Sequence, residues 1–135
     1  MKTIIAGSRS IRGLDLVSYC CDDFFSRYKV KEIVSGGAPG VDRLGELVGH
    51  SLGIPITVFK ASWEVFGKRA GMLRNQDMAN YANALIAIWD GVSPGTREMI
   101  KMAKRGGLIV CVYNEHGHLV EEYVPDAISD IEPWP

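Results

Sequence analysis

The sequence predicts an α/β protein of three layers, with a mainly parallel five-stranded sheet, helices on both faces and a short C-terminal hairpin. Short apolar runs alternate along the chain with segments in which apolar residues recur every three or four positions. Glycine-containing turns follow three of these apolar runs. Because crossovers between parallel strands are right-handed, strands that alternate with helices form one sheet that is covered on both faces.

The first half of the chain begins this alternation. A strand over residues 3–6 leads to a helix over residues 11–28, whose apolar positions have helical spacing. A second strand over residues 31–34 precedes a helix over residues 41–52, which ends at Gly53, a typical C-terminal stop. We predict that the buried face of this helix consists of five positions: Leu44, Leu47, Val48, Ser51 and Leu52.

The second half continues the pattern and ends in a hairpin. Ser93 and Pro94 start its last helix as N-cap and first-turn proline, and Gly106-Gly107 closes it. The remaining predicted elements are a third strand over residues 54–59, a helix over 68–82, strands over 84–89 and 108–113, and a short hairpin strand over 119–124.

Length and composition favour a single domain in the cytoplasm. The 135 residues suffice for one core over residues 1–125, followed by an acidic, proline-bounded tail over residues 126–135. A net charge of −1 provides no basic field for general nucleic-acid binding, and no apolar run fits a membrane span or a signal peptide. The three cysteines lack metal-ligand spacing, so we expect reduced thiols, no metal site and no cofactor.

The three glycine turns indicate a phosphate site. They occupy residues 7–9, 35–42 and 90–96, each between a predicted strand and a predicted helix. Carboxyl ends of parallel strands share one edge of the sheet, and glycine lets the backbone and the helix amides approach an anion there. Neither the Walker A pattern nor the dinucleotide fingerprint is present. The candidate contacts in these turns are Gly7, Ser8, Arg9, Ser35, Gly36, Gly37, Gly40, Asp42, Asp90, Ser93, Gly95 and Thr96.

Arg74 is the most suggestive single charge. In a helix over residues 68–82 it shares a face with Met78 and Tyr81, where a guanidinium is costly unless it is paired or faces a cleft. The alternative is an ion pair with Asp77, three residues further on. Trp63 is a candidate for stacking on a base, or for covering the sheet edge.

Several turn residues also have ordinary structural explanations. Arg9 is either a phosphate contact or an exposed loop arginine. Asp42 either orients a sugar hydroxyl or complements the helix dipole, and Thr96 either binds phosphate or caps its helix.

These turns, together with the stretch 63–78, resemble the YspA-like branch of the SLOG superfamily. The resemblance covers about the first 113 residues and includes Arg74 and Asn75. It implies a Rossmann-like nucleotide-binding fold, with the ligand phosphate against the second and third glycine turns. It also implies homodimers built from helices next to the site.

The related LOG phosphoribohydrolases cleave nucleoside 5′-monophosphates with an arginine and a glutamate. Arg74 resembles that arginine, but Met99 stands where the glutamate belongs. Glu98 is one residue early, which rotates it by about 100° around the helix. Arg74, Glu98 and Asp90 are therefore the catalytic candidates if the protein is an enzyme.

Three functions follow as hypotheses. The first is binding of a nucleotide-like small molecule by a homodimeric protein. The alternative is a nucleoside 5′-monophosphate N-glycosidase, and the second alternative is an interaction module whose glycines only shape turns.

Overall fold

The computed structural model describes residues 1–125 and has a single six-stranded sheet within them. The strands are β1 (Lys2–Gly7), β2 (Glu32–Ser35), β3 (Ile56–Val58), β4 (Ala84–Ile88), β5 (Ile109–Tyr113) and β6 (Leu119–Tyr123). They lie in the order β3-β2-β1-β4-β5-β6; the first five are parallel, and β6 is antiparallel to β5. The α/β prediction is confirmed, and the predicted hairpin strand adds to the main sheet as its sixth member. The predicted tail over residues 126–135 lies outside the described residues.

Helices cover both faces of this sheet. They are α1 (Leu14–Phe25), α2 (Val41–Leu52), α3 (Trp63–Phe66), α4 (Ala70–Tyr81) and α5 (Pro94–Arg105), with one 3-10 turn, Gly67–Arg69, between α3 and α4. One core contains residues of α1 and α2, and the other contains residues of α4 and α5. The three-layer arrangement predicted from the sequence is therefore confirmed.

Strands β4 and β5 are apolar throughout because both of their faces are buried. All five residues of β4 and of β5 are buried. Successive residues of a strand lie on opposite faces of the sheet and so belong to different cores. Ile4 and Leu85 pack with α4 and α5, whereas Ile5 and Ile86 pack with α1 and α2.

The predicted buried face of α2 is wrong in part. Leu47 is 52% exposed, Leu52 is 54% exposed and Ser51 is exposed as well, whereas Gly45 and Gly49 are buried against the sheet. A Cβ atom on Gly45 would lie 2.6 Å from Cγ2 of Ile5. The two glycines thus let α2 lie close to the strands, and they occupy part of the sheet-facing side, which the prediction assigns to larger side chains.

Two helix boundaries also differ from the predictions. The helix expected from residue 68 starts at Ala70, and a separate helical turn, α3, occupies part of the predicted loop. Gly67 separates the two because its φ of 57° cannot continue a right-handed helix. The first helix, predicted from residue 11, starts at Leu14 after Gly13. Leu14 is one of the apolar positions with helical spacing that the sequence predicts for the core face, but it is 43% exposed.

The cysteines are all buried free thiols: Cys20, Cys21 and Cys111. Burial raises the pKa of Cys20 and Cys111 to about 11 and that of Cys21 to about 12, so these thiols are protonated core residues. Within residues 1–125, no helix combines the length and the apolar character that crossing a bilayer requires.

Candidate functional site

The candidate site lies at the carboxyl edge of the sheet, between β1 and β4. The chain leaves these neighbouring strands toward opposite faces of the sheet: β1 is followed by α1 on one face, and β4 is followed by α5 on the other. A crevice opens where the connections diverge, the usual ligand position in open α/β sheets. We call it the switch cleft; its volume is about 450 Å³. Ten predicted site residues line it: Gly7, Ser8, Arg9, Asp42, Arg74, Asn75, Asp90, Ser93, Gly95 and Thr96.

A second cleft, which we call the outer cleft, lies beside the first. It has a volume of about 520 Å³ and reaches from the turn after β2 to the segment after β3. Gly36, Gly37 and Trp63 line it, and both clefts share Arg9, Ala38 and Arg74.

Arg74 faces the clefts from the first half of α4. Its Nη1 atom donates a 2.6 Å hydrogen bond to the carbonyl oxygen of Gly36, and its Nε atom donates a 2.8 Å bond to Oδ1 of Asn75. No ion pair joins Arg74 to Asp77 among the ion pairs of residues 1–125. The guanidinium is thus held half-buried at the junction of the clefts.

Asp42 is a buried carboxylate beside this guanidinium. It is 5% exposed, and the backbone N–H of Ala38 donates a 3.3 Å hydrogen bond to its Oδ2 atom. Burial raises the pKa of Asp42 to about 6, although the N–H of Ala38 and the charge of Arg74 act in the opposite direction. At neutral pH the site therefore holds an ionised carboxylate in a poorly solvated position.

Gly36 makes room for this pair of side chains. A Cβ atom at position 36 would lie 2.8 Å from Nη1 of Arg74 and 2.9 Å from Oδ2 of Asp42. The glycine is needed here for the approach of protein side chains.

Asp90 organises the turn that starts α5. Its Oδ1 atom accepts hydrogen bonds from the N–H groups of Val92 at 2.9 Å and Ser93 at 2.8 Å, and its Oδ2 atom accepts one from the Ser93 hydroxyl at 2.7 Å. The N–H of Ser93, followed by that of Val92, holds the pKa of Asp90 far below its usual range. Ser93 stands at the predicted N-cap position of α5, but its side chain makes no capping bond.

Ser8 connects this turn to the first one. It is 1% exposed, and its hydroxyl accepts a 3.1 Å hydrogen bond from the N–H of Asp90. Its own N–H donates to the carbonyl of Ile88 at 3.1 Å. Both walls of the switch cleft are therefore joined by hydrogen bonds.

The N-terminus of α5 opens into the switch cleft. Its first-turn residues Gly95 and Thr96 line the cleft, and their N–H groups have no partner within the helix. A Cβ atom on Gly95 would meet no atom within 4 Å, so this position borders open space. The end of the helix thus provides backbone donors and a partial positive charge.

Three predicted site residues line neither cleft: Ser35, Gly40 and Glu98. The Ser35 hydroxyl donates to Oε2 of Glu46 at 2.6 Å and accepts from the N–H of Gly37 at 3.1 Å, which shapes the turn. Gly40 has a φ of 88°, and a Cβ atom there would lie 3.0 Å from Cα of Arg9.

Glu98 lies on the exposed side of α5. Its carboxylate is 3.7 Å from Nζ of Lys101, and its side chain is 52% exposed. The adjacent Met99 is 2% exposed and lines the switch cleft. Because Met99 and not its neighbour Glu98 lines the cleft, this wall carries a thioether and not a carboxylate.

Four polar lining residues were not predicted from the sequence: Ser10, Arg43, Glu46 and Lys60. Lys60 carried a usable signal, because it directly follows the third predicted strand and so lies at the same edge as the glycine turns. Arg43 stands in the first turn of α2, directly after a glycine turn.

The fold and the site define a Rossmann-like α/β protein with a polar crevice at its topological switch point. The Gene 61 protein of Mycobacterium phage D29 is 33% identical to this chain over 89 residues, which cover 62% of this chain and 71% of the phage protein. The chain belongs to the family of that phage protein. No family model and no solved structure matches this chain. Within residues 1–125, no group of three or more His, Cys, Asp or Glu side chains is placed to hold a metal ion.

Proposed function

We propose that this protein binds a nucleotide, or a nucleotide-derived phosphorylated molecule, in the switch cleft. The observation that carries the proposal is the convergence of Arg74, Arg9 and the free N–H groups of α5 on one crevice at the switch point. A forked guanidinium and helix amides together form a typical site for phosphate oxygens.

The site is prepared for such an anion before it binds. Arg74 is held by Gly36 and Asn75, and its Nη2 atom makes no hydrogen bond within residues 1–125. A preorganised donor loses less side-chain entropy on binding than a mobile one. The resemblance to the YspA-like branch of the SLOG superfamily agrees with this proposal.

Binding is favoured over N-glycosidase activity because neither Glu98 nor Asp90, the candidate carboxylates from the sequence, is free in the switch cleft. Within residues 1–125, the other carboxylate of the cleft is Asp42, which is buried beside Arg74. Glu98 lies outside the switch cleft, and Asp90 accepts three short hydrogen bonds from its own turn. We therefore expect no free base after incubation with mixed ribonucleoside and deoxyribonucleoside monophosphates, as followed by chromatography. Base release that disappears in both Arg74→Ala and Asp42→Asn would make the protein a hydrolase.

A thermal-shift panel tests the binding function. Nucleoside monophosphates are expected to stabilise the protein, whereas the matching nucleosides are not, because the site is built for phosphate. At a ligand concentration of 100 Kd the stabilisation is about 2.7 kcal/mol. Equal shifts with nucleosides and nucleotides, or no shift with either, contradict the proposal.

Gly95→Ala separates binding from folding. Its new methyl group enters the open cleft, and alanine favours helix over glycine, so the fold is retained while the nucleotide shift is lost. Gly13→Ala is the matched control, because position 13 lies away from the cleft and a Cβ there would be 3.8 Å from Cβ of Leu16. A full nucleotide shift in Gly95→Ala would refute this location of the site.

A further inference from the structure

We infer that the ligand is a dinucleotide, two nucleosides joined through a pyrophosphate, with one nucleoside in each cleft. This inference rests on the proposed function and extends it from the switch cleft to the outer cleft.

The first argument is that the two clefts adjoin. Arg9, Ala38 and Arg74 line both clefts, so a ligand that contacts these two guanidinium groups lies at the border of both. Each cleft has a volume within the range of small-ligand sites, at about 450 Å³ and 520 Å³. A mononucleotide in the switch cleft would leave the outer cleft empty.

The second argument is the charge of the outer cleft. Among residues 1–125, four cationic side chains line it, Arg9, Arg43, Lys60 and Arg74, against one acidic side chain, Glu46. Glu46 accepts a hydrogen bond from the Ser35 hydroxyl. The switch cleft, in contrast, balances two arginines with two carboxylates, Asp42 and Asp90. The excess of positive charge at and beyond the junction suits two linked phosphates better than one.

The third argument is the position of the aromatic surface. Trp63 on α3 lines the outer cleft and is 53% exposed, so its indole ring is available for stacking on a base. Within the described residues the lining of the switch cleft has no aromatic ring, and its apolar lining residues are Ala6, Ala38, Met78, Pro94 and Met99. The two clefts thus offer different surfaces to two nucleosides on either side of the phosphates.

Isothermal titration calorimetry with AMP, ADP and diadenosine 5′,5′-diphosphate tests the inference. The dinucleotide is expected to bind about ten-fold more tightly than ADP, since stacking of one base on an aromatic ring has an effect of this size. Trp63→Ala should remove this advantage and leave the affinity for AMP unchanged, and Trp63→Phe should retain most of it.

Two matched controls test whether loss of any exposed ring or any exposed lysine would weaken binding. Phe66→Ala removes another half-exposed ring from α3 that does not line the cleft, and it should leave dinucleotide binding unchanged. Lys60→Ala should weaken ADP and dinucleotide binding about five-fold or more, whereas Lys68→Ala, an exposed lysine outside both clefts, should not.

The outcomes distinguish this inference from the proposed function. Binding of AMP with no gain for the dinucleotide overturns the inference alone. Tighter binding of a ten-nucleotide single-stranded DNA than of the dinucleotide also overturns it, in favour of an oligonucleotide. If none of the three nucleotides binds, the proposed function fails as well.

Discussion

Asp42→Asn is expected to stabilise the protein at neutral pH. The Asp42 carboxyl has a pKa of about 6 in the folded protein because it is buried, compared with about 3.9 for a solvated aspartate. This difference of about two pH units corresponds to about 3 kcal/mol. Asparagine resembles the neutral carboxyl in shape and avoids the burial of a charge.

The sign of the pH dependence follows from the raised pKa. Below about pH 4 the carboxyl is protonated in both the folded and the unfolded chain, so its ionisation costs nothing. As the pH rises through the range of about 4 to 6, the unfolded chain ionises first and the wild-type protein loses stability. The free energy of unfolding of Asp42→Asn should therefore equal that of wild type near pH 4 and exceed it by up to about 3 kcal/mol at pH 7.

Urea denaturation of both proteins at several pH values between 4 and 7 measures this difference. Taking the difference between the two proteins cancels the titration of other groups, such as Glu32 and Glu122, whose pKa values are lowered by hydrogen bonds from Tyr81 and Tyr28. Lower stability of Asp42→Asn at pH 7 would show that Asp42 is instead stabilised as an ion by Arg74. A difference that does not change with pH would show that the pKa of Asp42 is the same in the folded and the unfolded chain, which also refutes the reasoning.

Three further predictions concern the site, the packing and the assembly. Arg74→Ala is expected to weaken nucleotide binding by about ten-fold to more than a hundred-fold, since it removes a charge-assisted contact of about 1.5 to 3 kcal/mol, and unchanged affinity in a titration would contradict this role. Gly45→Ala should lower the free energy of unfolding by about 1 to 3 kcal/mol in urea, because the methyl group would collide with Ile5, whereas Gly95→Ala should not. Light scattering at micromolar protein with nucleotide present should find a homodimer, since Val65, Met72 and Val92, which are near site residues in the chain, are exposed apolar side chains; a monomer alone would refute this.

The proposed ligand edge could be located from local sequence because each of its turns follows a strand. Strands whose residues are all apolar and helices with a repeating apolar stripe determine the alternation, and the alternation alone places every β–α turn at the same edge. The positions of Gly7, Asp90 and Gly95 at one cleft follow from this rule without any knowledge of side-chain contacts.

Other features depended on contacts between segments that are distant in the sequence. Helical spacing placed Leu47 in the core, but the side of α2 that contacts Ile5 and Ile33 carries Gly45 and Gly49, and Leu47 is 52% exposed. A hydrophobic stripe alone does not report how closely a helix approaches its sheet.

The sequence by itself determined the α/β class, the covered sheet and the edge on which the glycine turns meet, because these follow from periodicity and chain direction. Only the tertiary structure decided that Arg74 donates a hydrogen bond to the carbonyl of Gly36, which is 38 positions earlier in the chain. It also placed Arg74 beside Asp42, which is 32 positions earlier. It also decided that Met99, and not Glu98, faces the cleft. The physical reason is that the charge and solvation of a side chain depend on which distant groups pack around it, and a single sequence does not specify those neighbours.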